Sequence, residues 1–165
     1  RDLAIVFLRG NVDTRLRKWR DGEVDALVLA AAGLVRLGVD EPAAHAISPD
    51  DLLPAVGQGA LALECRVDDG NTHELLAALH DDDAATEIAA ERAFLVAIGG
   101  DCNTPLAGHA RASGTAVTLR VQVSDADGHE RIEDAGGAPR ADAATLGARL
   151  AERLLARGAG RLLGR

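Results

Sequence analysis

The sequence predicts an α/β architecture: a β-α-β-α segment with parallel strands, then a small α+β unit on a three-stranded antiparallel sheet. Three observations predict it. Short continuous apolar runs, "LAIVFL" and "DALVLA", alternate with helical stretches near the start of the chain, the pattern of strands buried on both faces. Beyond Pro105 the text changes to period-two alternation in "LAGHARA" and "AVTLRVQVS", as half-buried antiparallel strands require. The closing stretch "ADAATLGARLAERLLARG" sets Leu146, Leu150 and Leu154 on one face, with Gly158 at its end, which suits a helix laid over a sheet.

Taken in order, "LAIVFL" is a strand, and "RGNVDTRLRKWRDG" a loop opening a helix with Asn11 as N-cap and Gly22 as stop. "DALVLA" is a second strand, and "AAGLVRLG" a short helix ending at Gly38, with Arg36 in its last turn. Ligand groups would gather where such strands end and helices begin, which puts Arg9 and Asn11 at that edge. Residues 41–51 read as loop, with Pro42, Pro49 and a cap at Ser48. In "LLPAVGQGALALECR", Pro54, Gly57 and Gly59 make an irregular approach to a strand over residues 60–66. Asn71 and Glu74 have capping-box spacing for "THELLAALH". A helix over residues 84–98 stops at Gly99 and Gly100, and the loop after it carries Cys102. The strand pair joined by "SGT" is followed by the turn "DADG" and a third strand "GHERIEDA".

The chain has 165 residues, enough for one ordinary domain or two small ones, and it starts at Arg1-Asp2 rather than Met. It is expected to be part of something longer. No apolar run approaches the roughly 20 residues of a membrane span, and the two cysteines, Cys65 and Cys102, lack metal-ligand spacing. A soluble protein of a reducing cytoplasm, without a bound metal, is expected. A formal net charge of −8 opposes nucleic-acid binding, and with one Trp, two Phe and no Tyr there is no base-stacking platform.

The arginines are unevenly placed. Arg1, Arg9, Arg15, Arg17, Arg20 and Arg36 crowd the first 36 residues beside Lys18. Guanidinium is the planar fork that grips carboxylate or phosphate, so the cluster points to an anionic small molecule; a solvated helix face is the plainer explanation. The glycines around Gln58 lack the third glycine and the following helix of a dinucleotide fingerprint. Cys102 by itself is a small residue in a turn. A thiol enzyme pairing it with His109 finds no orienting partner for that histidine, and Asp101 reads as turn-forming. An anion-binding module without catalysis fits the same β-α rhythm.

Three long stretches narrow the choice. "RGNVDTRLRKWRDGEVDALVLAAAGLVRLG", "LLPAVGQGALALECR" and "AERAFLVAIGGDCNTPLAGHA", in this order and spacing, resemble the porphobilinogen deaminase family, also called hydroxymethylbilane synthases. The resemblance implies a periplasmic-binding-protein-like two-domain α/β unit followed by the small α+β domain. Residues 1–53 would be the latter part of the middle domain. Residues 54–77 would return to complete the first, and residues 82–165 would form the C-terminal, cofactor-carrying domain. It further implies a transferase of tetrapyrrole and haem biosynthesis, which condenses porphobilinogen head to tail, with loss of ammonia, on a dipyrromethane primer to give hydroxymethylbilane. Cys102 would hold that primer through a thioether, with Arg9, Arg15, Gly10 and Asn11 as cofactor-binding residues and Arg36 and Gln58 as substrate-binding residues. Arg17, Lys18 and Arg20 inherit no such role. The family's catalytic aspartate lies upstream of this stretch, so no catalytic acid is assigned here. The chain alone is expected to be inactive, and the full-length protein a monomer.

Overall fold

A computed structural model describes residues 3–165, which divide into two compact units that part between Ile47 and Ser48.

In the first unit, helix α1 (Val12–Arg20) forms where the sequence predicts it. Asn11, with extended backbone, accepts the Thr14 N–H at 2.9 Å, and Arg17, Lys18 and Arg20 in the last turn complement the helix dipole. The chain leaves through Gly22 at φ +79. Helix α2 (Ala31–Arg36) carries Arg36 in its last turn, with Gly38 at φ +63 just beyond. Leu16 is the one buried side chain of this unit among the described residues. The expected strands at residues 3–8 and 25–30 are not present: these runs make no ladder, and Ile5 and Phe7 are 96% and 103% exposed. A strand exists only through its neighbour, and these runs find none among the described residues. The expected parallel sheet is therefore not observed.

The second unit opens with turns. Ser48 caps one of them, its Oγ accepting the Asp50 N–H at 3.1 Å. Residues 60–66 form no strand, for the same lack of a partner, and Leu61 is exposed. Helix α3 (Gly70–Ala77) is capped by Asp69, whose carboxylate accepts the Thr72 N–H at 3.1 Å, and not by Asn71. The aspartate two residues earlier reaches the same kind of orphan donor and starts the helix sooner. Helix α4 (Asp82–Ala97) begins at the Asp81 cap, bonded to the Ala84 N–H at 2.9 Å, and ends at Gly99 with φ +70.

Strands β1 (Leu106–Ser113), β2 (Ala116–Ser124) and β3 (Arg131–Pro139) form an antiparallel sheet in the order β1-β2-β3, with Ala110 opposite Leu119 and Leu119 opposite Gly136. The third strand starts later than "GHERIEDA" suggested. Asp125 takes Gly128–Glu130 into the preceding turn, its N–H donating to the Glu130 carbonyl at 3.0 Å and its side chain accepting the Glu130 N–H at 3.1 Å. A 3-10 turn (Arg140–Asp142) leads into α5 (Ala143–Ala156), and α6 (Ala159–Leu162) follows.

Helices α4 and α5 cover one face of the sheet. Phe94 and Ile98 meet Val117, Leu119, Val121 and Val123, with Leu146, Leu150 and Leu154 from α5, all 0–1% exposed. The alternation that predicted β2 thus points its valines and Leu119 inward.

Both edges of this sheet are tied down. On β1, the outward N–H groups of Gly108, Ala110 and Ala112 donate to the Pro54 carbonyl (3.0 Å), Glu91 (2.9 Å) and Glu87 (2.9 Å). On β3, arginines spaced by four residues form a ladder. Arg149 donates to the Gly137 carbonyl at 3.3 Å, Arg153 to Asp134 at 2.8 Å, Arg157 to the Glu133 carbonyl at 2.8 Å, and Arg161 pairs with Glu130. Edges satisfied in this way do not template further pairing.

Candidate functional site

Cys102 sits on a turn between α4 and β1, and its thiol is free and exposed. The turn is closed from both sides. The Asp101 carboxylate accepts the Asn103 N–H and the Thr104 hydroxyl, each at 2.9 Å, and the Thr104 hydroxyl oxygen accepts the Asp101 N–H at 2.8 Å. The Asn103 N–H and the Thr104 bonds, with the charge of Arg165 nearby, hold the Asp101 carboxyl below the usual aspartate range. Asp101 is therefore a carboxylate occupied in shaping the turn, as its position in the sequence suggests. The root of the loop is fastened by Arg165, whose guanidinium donates to the Ile98 carbonyl at 3.0 Å and to that of Gly99.

The second cluster surrounds the start of α1. Arg15 Nε donates to the Gly10 carbonyl at 2.8 Å, and Lys18 reaches the Arg9 carbonyl at 3.5 Å. Gly10 is required there. Its φ is +129, and a β-carbon would stand 2.7 Å from the Thr14 methyl. The basic side chains of this unit fall into two groups. Arg17 pairs with Asp21 at 3.4 Å, Lys18 with Glu23 at 4.0 Å and Arg20 with Glu41 at 2.7 Å, and the Arg20 hydrogen bond lowers the Glu41 pKa. Among the described residues, Arg9, Arg15 and Arg36 have no carboxylate partner. These three are also the arginines singled out from the sequence.

The structure joins Gly10, Asn11 and Arg15 by direct bonds and leaves Arg36 exposed on α2. Gln58 and Cys102 both belong to the second unit, Gln58 in an exposed turn whose N–H reaches the Ala55 carbonyl at 3.3 Å. His109 is half-buried on β1 opposite Arg120, with no bond to Cys102. Among the described residues no cluster of His, Cys, Asp and Glu could hold a metal ion, and no helix is long and apolar enough to cross a membrane. Sequence reasoning passed over Glu91, a charged residue only 6% exposed. The signal was there: Glu91 stands three and seven residues before Phe94 and Ile98, on the apolar stripe of α4.

Two family models match the chain. Residues 1–74 match the porphobilinogen deaminase dipyrromethane cofactor binding domain, and residues 85–156 match the porphobilinogen deaminase C-terminal domain. The chain belongs to the porphobilinogen deaminase family. It is 52% identical to the porphobilinogen deaminase of Syntrophotalea carbinolica over 98% of its length, and 46% identical to that of Trichlorobacter lovleyi over 95%. These alignments take in 51% and 50% of the two relatives, so the chain spans about half their length. Within the porphobilinogen deaminase framework, the Cys102 turn and the α1 arginines fall in different matched domains, since Arg9–Arg15 lie in the first match and Cys102 in the second.

Proposed function

We propose that the protein to which this chain belongs is a porphobilinogen-polymerising, deaminating transferase, with the dipyrromethane primer held by Cys102. The observation that carries the reading is the Cys102 thiol, exposed on a preformed turn with no disulfide partner among the described residues. A sulfur nucleophile displayed in this way can attack an electrophilic methylene-pyrrole, and thiol is the side chain best suited to that attack. A reducing, cytoplasmic setting keeps it available.

The residues of the chain fit an oligopyrrole. Each pyrrole of porphobilinogen carries an acetate and a propionate, and Arg9, Arg15 and Arg36 offer guanidiniums not already neutralised by a carboxylate among the described residues. Gly10 and Asn11 shape the loop beside Arg9 and Arg15. Gln58 offers an amide from an exposed turn. When bound, the primer supplies the nucleophilic pyrrole carbon to which each new unit is added. The protein's own part is to hold carboxylates and fix the point of attachment. Residues 1–53 belong in this reading to the middle domain of a periplasmic-binding-protein-like pair, 54–77 to the first domain and 82–165 to the C-terminal domain. The catalytic acid comes from the part of the full-length monomer outside this chain.

Intact-mass spectrometry of the full-length protein tests this. The wild type and Cys65→Ser should carry a dipyrromethane adduct, and Cys102→Ser should fold without it and form no hydroxymethylbilane. An adduct retained in Cys102→Ser would overturn the reading.

A further inference from the structure

The turn carrying Gln58 is held by α4 and the edge of β1 as well as by its own Gln58–Ala55 bond. The Pro54 carbonyl accepts the Gly108 N–H at 3.0 Å, and Val56 packs onto the core. The decisive bonds belong to Glu91: Oε2 accepts the Gly57 N–H at 2.7 Å and Oε1 accepts the Ala110 N–H at 2.9 Å. Glu91 is 6% exposed, and no cation pairs with it among the described residues. A buried carboxylate is costly unless it answers donors that nothing else satisfies. Here it answers two, one on the strand and one on the turn. Seven residues further along the same helix, about 10 Å of axial rise, α4 reaches Ile98, from which the Cys102 loop departs. One rigid helix thus bears both the Gln58 turn and the root of the Cys102 loop.

We infer that Glu91 is a positioning residue for porphobilinogen binding. It fixes the Gln58 turn relative to the Cys102 loop, so that the Gln58 amide meets a carboxylate-bearing pyrrole of a chain anchored at the thiol. Glu87 makes the instructive contrast. It bonds the Ala112 N–H on the same strand edge at 2.9 Å but makes no bond to the turn. This inference rests on the proposed function.

The experiment uses the full-length protein and porphobilinogen. Adduct on Cys102 is read first by mass, then KM and kcat are measured separately for Glu91→Gln, Gln58→Ala, the double variant and Glu87→Gln. Glu91→Gln should keep the adduct, raise KM about 5–10-fold and leave kcat within about two-fold, as when one hydrogen bond of uniform binding is lost. The double variant should be no worse than Gln58→Ala, because one residue acts through the other, and Glu87→Gln should match the wild type. Wild type without adduct would bring down the proposed function and this inference with it. Adduct present with KM unchanged, or with additive effects in the double variant, would overturn this inference alone. Gln58 lies in an exposed turn, so an unchanged KM in Gln58→Ala overturns it even should Glu91→Gln fail to fold.

Discussion

Gly147 of α5 lies against the main chain of Ala90 in α4: a β-carbon at Gly147 would overlap the Ala90 carbonyl oxygen and stand 2.8 Å from the Phe94 nitrogen. The two helices that cover the sheet are in backbone contact, and the absence of a side chain makes that approach possible. Alanine is the better helix former by about 1 kcal/mol, so propensity alone would make Gly147→Ala stabilising. Steric overlap with backbone atoms, which cannot rotate away, opposes it. Forcing the helices apart costs about 1–3 kcal/mol in the usual range of overpacking, and more where backbone must shift. Gly147→Ala is therefore expected to lower the melting temperature of the folded protein. An unchanged or raised melting temperature would mean that the helices are not pressed together at this point.

The arginine ladder on β3 gives a ranked prediction. Asp134 has a side chain 8% exposed, bonded by Arg153 at 2.8 Å, with Arg157 at 3.7 Å from its other oxygen, which has no hydrogen bond. Arg149 reaches only a carbonyl. Arg153→Leu removes the charge-assisted bond to a nearly buried carboxylate, which keeps only the Ala135 N–H and the more distant Arg157, a loss of about 1–3 kcal/mol, whereas Arg149→Leu removes one exposed neutral-acceptor bond worth about 1 kcal/mol or less. Urea denaturation of the two variants should show that order, and equal midpoints would contradict it.

Acidification should reach the Cys102 turn late. The folded pKa of Asp101 lies below its unfolded value, chiefly through the Asn103 N–H and then Thr104. Its contribution is thus fully present above the unfolded pKa of about 4 and is lost as pH falls through the folded one. The Asn103 amide resonance should titrate with a midpoint below that of a free aspartate. A midpoint at or above about 4 would show that the turn is not closed by this carboxylate.

The two groups of basic residues near α1 should respond differently. Arg20→Leu loses an exposed pair with Glu41 and should barely change cofactor loading or turnover in the full-length protein. In the proposed function, Arg9→Leu or Arg15→Leu should stall cofactor assembly or elongation, since each would lose a charge-assisted bond to a pyrrole carboxylate worth on the order of 1.5–3 kcal/mol. The species bound to Cys102, resolved by mass, report this directly. Equal damage in all three variants would erase the distinction between paired and unpaired guanidiniums.

What was legible in the sequence follows from what is local. Asn11 and Gly22 delimit α1, Gly38 follows α2, Gly99 ends α4, and the alternation in "AVTLRVQVS" gives β2 with its inward face. Caps, glycine stops and side-chain period depend on neighbours a few residues away. The runs at residues 3–8, 25–30 and 60–66 look like strands by the same criteria and form no ladder, because pairing is a property of two segments. The α3 cap falls at Asp69 rather than Asn71 because two cap-forming residues stand two positions apart and the earlier one starts the helix sooner. At the candidate site, the Cys102 turn and the Gly10–Arg15 loop could be read as motifs. The neutralisation of Arg17, Lys18 and Arg20 depends on Asp21, Glu23 and Glu41, and Glu91 bridges segments 34 residues apart with Gly57; such facts exist only once the chain has folded.

The ladder from Arg149 to Arg161 also bears on which changes of length the chain tolerates. Deleting one residue between Pro139 and Ala143 would turn α5 by about 100° relative to β3 and slide it by about 1.5 Å. Arg149, Arg153 and Arg157 would then leave their acceptors together, and Leu146, Leu150 and Leu154 would rotate out of the core. The turn of residues 125–130 has no such coupling to the helix register. Its Asp125–Glu130 closure can be rebuilt around an inserted residue while every rung but the Arg161–Glu130 pair stays in place. Insertions and deletions across the family should accordingly collect in the β2–β3 turn and spare the β3–α5 connection.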